Sequence, residues 1–267
     1  MTARVLICSL LVGCSLMSVP DARPVSASGG EILAAYHGLD ELPWFALFPC
    51  EAWVGGQDGM PITFSVRIDP DTLDPEDFRV LTATGDSVIP TCATLRPATE
   101  SLEQRTVLLA GEFGSSDRPP VAVDVTGFLM DQRGAALTGA RTDRITPLSA
   151  GPSLVLAERF SPATPAFEGE CPADTQQIIQ LVWDGGVSGP GASALSDAQR
   201  AGVHVTLSDG AVIEPLALGD DDPDNFVLAC LATDTPASAV LVEAGLFYDP
   251  ADDPNLETDA PVLFGHR

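Results

Sequence analysis

Three acid-rich turns hold the side chains best placed, by type and spacing, to do chemistry. They are Asp69, Asp71, Asp74, Glu76 and Asp77; then Asp220, Asp221, Asp222 and Asp224; then Asp249, Asp252, Asp253 and Glu257. Calcium takes roughly six to eight hard oxygen ligands, and turns at the ends of a β-sandwich offer carboxylates and carbonyls together. The candidate calcium ligands are therefore Asp69, Asp71, Asp220, Asp222, Asp224, Asp249 and Asp252, although none of the runs has the EF-hand spacing. The competing reading is local: Asp and Pro close turns by bonding to their own backbone and stay solvated.

Catalytic constellations are harder to find. There is no nucleophile-elbow serine, no glycine-rich phosphate loop and no paired-histidine motif. All of the 13 basic residues are arginine, so Schiff-base and phosphate-cradling lysines are excluded. His37, His204 and His266 lie too far apart in sequence for a zinc motif. Carboxylates abundant enough for a glycosidase pair are, for that reason, not diagnostic of one. The expectation is a protein that is not an enzyme and needs no cofactor, with calcium as the one candidate. A secreted hydrolase with its site at a domain junction is the alternative, and a calcium-dependent adhesin using the acidic turns is a third reading.

Cysteine use points to an oxidising compartment. Cys8 and Cys14 lie near the N-terminus, and Cys50, Cys92, Cys171 and Cys230 form an even set suited to disulfides. Pairing Cys50 with Cys92 and Cys171 with Cys230 is the economical choice among three. Trp44, Phe45, Phe48 and Trp53 surround Cys50. They read as packing around the bridge, with a sugar or peptide grip as the rival use.

The leader agrees with export. A short apolar run, Val5 to Gly13, follows Arg4 and is too short to cross a bilayer. Leu11-Val12-Gly13-Cys14 resembles a bacterial lipobox, which implies lipidation at Cys14. Cleavage after Val25-Ser26-Ala27 gives a soluble secreted product instead. The formal charge of -25 disfavours nucleic acid and anionic membrane surfaces, so membrane contact is expected only through a lipid anchor.

The elements that must position these residues come in two sets. Ile32 to His37 followed by Cys50 is answered by Leu154 to Arg159 followed by Cys171. The run Pro61 to Ile68 alternates strictly, with Ile62, Phe64, Val66 and Ile68 on one face, as a half-buried strand does. Its counterpart, Gln177 to Trp183, is more continuously apolar, and Trp183 is expected in the core. Val80 to Asp86 matches Val203 to Gly210, and Val123 to Leu129 matches Leu241 to Phe247. Only Ser196 to Arg200 looks helical. In this alignment Cys92 and Cys230 fall on different strands of their copies.

After its alternating strand the first copy continues Asp69-Pro70-Asp71-Thr72-Leu73-Asp74-Pro75-Glu76-Asp77-Phe78. This resembles bacterial Ig-like modules of exported surface proteins. In these a strand ends in an Asp-Pro-x-Thr turn, one helical turn follows, and its aromatic plugs the sandwich. The resemblance implies that Phe78 is the plug, and the second copy departs from it at Asp184-Gly185-Gly186. The fold expected is all-β, as two tandem Ig-like β-sandwich domains. The division expected is signal peptide 1–27, first sandwich 28–147, linker 148–151, second sandwich 152–262 and tail 263–267, the two sandwiches sitting as a fixed pair. The role expected is a structural or interaction module of the envelope, periplasmic, outer-membrane or secreted. Its partner is a protein or glycan of the envelope, and nucleic acid is not expected.

Overall fold

The computed structural model describes residues 29–43, 53–98, 100–219 and 224–265. The N-terminal segment to residue 28, with Cys14, and residues 44–52, with Trp44, Phe45, Phe48 and Cys50, lie outside them, as do Asp220 and Asp222. No helix among the described residues is long and apolar enough to cross a membrane.

The fold is all-β. In the first half, β1 (Ile32–Tyr36), β2 (Asp58–Phe64), β3 (Phe78–Thr82), β4 (Ser87–Val88), β5 (Cys92–Thr94), β6 (Thr106–Gly111), β7 (Pro120–Val125), β8 (Arg141–Thr142) and β9 (Ile145–Thr146) form two sheets, ordered β5-β6-β2-β1-β9 and β4-β3-β7-β8. In the second half, β10 (Leu154–Phe160), β11 (Gln177–Trp183), α1 (Asp197–Ala201), β12 (Val203–Leu207), β13 (Val212–Ile213), β14 (Ala217–Gly219), β15 (Phe226–Leu231), β16 (Ala237–Val242) and β17 (Thr258–Phe264) follow. Their order is β13-β12-β16-β17-β10-β11-β15-β14.

The two orders are one pattern. β17 pairs antiparallel with β16 and then parallel with β10, so it does the work of both β8 and β9. In the first half two residues separate Thr142 from Ile145, and the strand breaks; in the second Pro261 alone separates Ala260 from Val262, and it runs on. Irregularities repeat as well. The ladder slips at Leu33 between β1 and β2, and at Val155 between β10 and β11. It slips again between Leu81 and Thr82 in β3, and between Thr206 and Leu207 in β12. Bulges reshape a strand locally, so their recurrence at matched rungs marks a shared backbone plan.

Period two supplies each core. Met60, Ile62 and Phe64 point inward from β2 onto Phe78, Val107, Leu109 and Val123. Ile179, Leu181 and Trp183 do the same from β11 onto Val205, Val227 and Val240. Trp183 is fully buried against Phe247, ring centroids 4.7 Å apart. Asp74 accepts the amide N–H of Glu76 to cap the helical turn Pro75–Asp77, which delivers a fully buried Phe78. α1 begins with a capping box at Ser196 and Gln199.

β11 is buried along its whole length, whereas β2 has Pro61 half-buried on its outer face. Its outer residues Ile178 and Val182 meet a segment of the first half, residues 95–105, that connects β5 to β6. Leu102 packs with Phe160, Phe167, Ile178 and Leu228. Ala98 packs with Leu156, Val182 and Phe226, joined by Leu33 and Val155. The matching connection in the second half, 220–225, is shorter. A strand covered on both sides has no solvent face to keep polar, which accounts for its continuous apolar run.

Candidate functional site

The chemistry-bearing side chains collect where the halves meet. Tyr36, at the end of β1, is 1% exposed, and its hydroxyl is 2.9 Å from the Ala150 carbonyl and 2.5 Å from Asp249 Oδ2. Its ring lies so close to Gly185 that a Cβ there would come within 2.2 Å of Tyr36 Cδ1. Burial first, then the Asp249 carboxylate and the charges of Asp184 and Asp253, raise the phenol's pKa far above its ordinary value. Tyr36 therefore stays a neutral donor.

Asp184, just past β11, accepts the Ser153 amide N–H at 2.7 Å and the Thr146 hydroxyl at 2.7 Å. Burial pushes its pKa up to about 6 against those hydrogen bonds, which lower it. A carboxyl tuned this way is the usual mark of a general acid. Asp184 is only 1% exposed, however, and both oxygens are engaged in holding the connecting segment, so the observed task is to fasten the junction.

Further along the same face, Arg105 Nη2 and Glu158 Oε2 form a 2.5 Å ion pair with side chains 2% and 4% exposed. Burial lowers the guanidinium's pKa and Glu158 opposes the fall. Gln180, the register partner of Glu158, is fully buried with neither amide atom hydrogen-bonded. Asn225 Nδ2 donates to the Trp183 carbonyl at 2.7 Å and to Thr106 Oγ1 at 2.9 Å. Sheet meets sheet through these contacts rather than through the short linker alone.

In the first and third acidic turns, carboxylates accept backbone N–H groups. Asp69 Oδ1 accepts the Asp71 N–H. Asp249 Oδ1 accepts the N–H groups of Ala251 and Asp253, while its other oxygen takes the Tyr36 hydroxyl. Asp252, at φ 67°, occupies the left-handed position that Gly134 fills in the matching first-half turn, and accepts the Gly191 N–H. Among the described residues the structure clusters a different set, Glu100, Glu103 and Asp224, with ligand oxygens all within 4.8 Å. Asp224 alone belongs to the sequence-derived candidates. Glu100 and Glu103 come from the 95–105 segment, whose packing onto the second half is not written in any local motif.

Cys171 and Cys230 are disulfide-bonded, with Cα atoms 5.8 Å apart. Cys92 is also disulfide-bonded. In the first half Cys92 opposes Ala110 across β5 and β6; in the second Ala217 opposes Cys230 across β14 and β15. The second cysteine has moved across one rung. Trp53, expected to pack around the first bridge, is 57% exposed, with its indole N–H donating to the Gly55 carbonyl. His37, on the rung matching Arg159, is buried with Nε2 3.8 Å from Asp58 Oδ2.

No family model and no curated protein matches the chain. Among solved structures, surface layer protein SbsC, domains 1–6, is similar at 11% identity and a TM-score of 0.33, over 89% of this chain and 26% of that one. The N-terminal part of the bacterial S-layer protein SbsC is similar at 11% identity and 0.31, over 89% and 45%. The chain spans less than half of either structure.

Proposed function

We propose that this chain is a non-catalytic exported envelope protein that acts as a structural or interaction module through two Ig-like β-sandwich units. The observation carrying the reading is the repeated strand plan. In each half the first, second, sixth and fifth strands form one layer, and the third pairs with the seventh in the other. The closing strand pairs antiparallel in one layer and parallel with the first strand in the other. That arrangement follows the ABED and CFG scheme of immunoglobulin-type sandwiches. Fold alone names no role. The role is argued from the junction, where buried polar contacts and an apolar seam hold the units as one body suited to presenting a surface at fixed orientation. Disulfides support an address outside the cytoplasm.

Affinity recovery of the native protein from its own cell envelope, after mild crosslinking, tests this. The expected result is a reproducible envelope polypeptide or glycan held by the intact chain. Recovery of the chain alone, together with turnover of a glycan or ester substrate, overturns it.

A further inference from the structure

The connection from β10 to β11, residues 161–176, folds over the outer face of the second half and leaves a cavity of about 350 Å³. Pro162, Pro165, Phe167, Pro172 and Ile178 supply apolar wall. Phe167 is fixed edge-on by Phe160, centroids 5.2 Å apart, and the Cys171–Cys230 bridge ties the same wall to β15. The site is built before anything enters it.

Two polar features face this wall. Thr175 is 9% exposed, and its hydroxyl oxygen is buried with no hydrogen-bond partner. Leaving such a group unpaired is unfavourable, and a ligand atom bonding to it recovers that cost. Among the described residues Glu168 is the one ionisable side chain lining the cavity, and the connection also carries Glu170 and Asp174 but no arginine. Within a chain of net charge -25, that field attracts cations and repels anions.

We infer that this cavity recognises a basic side chain, arginine or lysine, of a partner polypeptide. The inference rests on the module reading and supplies the partner's chemistry. Ligand pockets run from about 300 to 1,000 Å³, so this one accommodates a single long side chain better than a cofactor. The proline and phenylalanine wall takes the methylene stem, Thr175 Oγ1 accepts one N–H, and Glu168 balances the charge at the rim.

The test is a titration of the full chain, followed by amide NMR, with blocked Gly-Arg-Gly, Gly-Leu-Gly and Gly-Glu-Gly peptides. The arginine peptide is expected to shift the amides of residues 161–178 and to bind about tenfold tighter than the leucine peptide, the glutamate peptide not at all. Thr175→Val and Glu168→Gln should each weaken it by about tenfold. Thr175→Val should leave the unliganded melting temperature unchanged or higher, since it deletes an unpaired hydroxyl. Equal binding of the three peptides, no shifts in that connection, or a Thr175→Val variant that melts lower overturns the assignment. Absent peptide binding with envelope capture intact sinks the cavity and spares the module reading; a bound peptide with nothing captured does the reverse.

Discussion

On the outer sheet faces that meet at the junction, the first half presents Tyr36, Thr63 and Thr106 where the matching rungs of the second present Glu158, Val182 and Phe226. On the inner faces the matched pairs are Ile62 with Leu181, Phe64 with Trp183 and Val107 with Val227, apolar in both. The interiors of the two halves are alike, and their contact faces differ. Identical faces would present like groups to each other; divergence gives hydroxyls on one side and an apolar, singly charged surface on the other. The 95–105 segment then contributes Arg105 to pair that charge. The acidic turns show the same logic. Asp131 and Asp249 close matching turns through Oδ1, but Asp249 also takes a hydroxyl from the other half.

Removing one side of the junction's ion pair should break this comparison most severely. Glu158→Ala leaves Arg105 buried and uncompensated, and should cost about 3–5 kcal/mol in urea denaturation. Replacing both partners together, Arg105→Met with Glu158→Leu, should restore most of that loss. If the double replacement is as damaging as the single, the pair is not what the interface depends on.

The displaced cysteine predicts a smaller effect. Replacing Cys171 and Cys230 by alanine should lower stability by about 2–4 kcal/mol, through the freer unfolded chain, while the first-half strands β2 and β6 keep the parent's hydrogen-exchange signal in buffer. Native-state loss of the first half's signal would mean that the bridge holds the junction as well as its own loop.

Asp184 sharpens the comparison through pH. Its folded value of about 6 lies above the 3.8 of the free side chain, so within that interval the folded protein holds a proton that the unfolded chain releases. The carboxyl therefore costs stability above about pH 6, and the cost fades as pH falls toward 3.8. Asp184→Asn keeps an acceptor for Ser153 and offers a donor to Thr146. It should be more stable than the parent by about 1–3 kcal/mol at pH 7.5, with the gap closing near pH 4. A gap that does not change with pH contradicts the assignment.

Much of the scaffold was legible because it obeys local rules. The alternation at Ile62 and Phe64, the Asp74 to Phe78 turn and the Ser196 capping box are read from neighbours in sequence and appear in the structure. The matched first strands correspond to matching positions in the repeated strand order, and the alignment placed Cys92 and Cys230 on different strands, as they are. The junction was not legible in the same way. Gln177 to Trp183 declared itself apolar on both faces, but nothing local says that Ala98 and Leu102 cover it. Tyr36 looked like the end of a strand; its hydroxyl finds Asp249 only across 213 residues of chain. Of the acidic-turn residues, Asp69, Asp249 and Asp252 accept backbone N–H groups, the local use that the same residue types also suggest in sequence.

The central claim is that two copies of one β-unit are joined through their outer sheet faces into a single body. Hydrogen exchange measured peptide by peptide on the full chain and on Glu158→Ala tests it most directly. The prediction is that amides of β2 in the first half and β11 in the second lose protection together in the variant, by comparable free energies. Loss confined to β10 and β11, with β2 and β6 exchanging as in the parent, would show two independent units that merely touch.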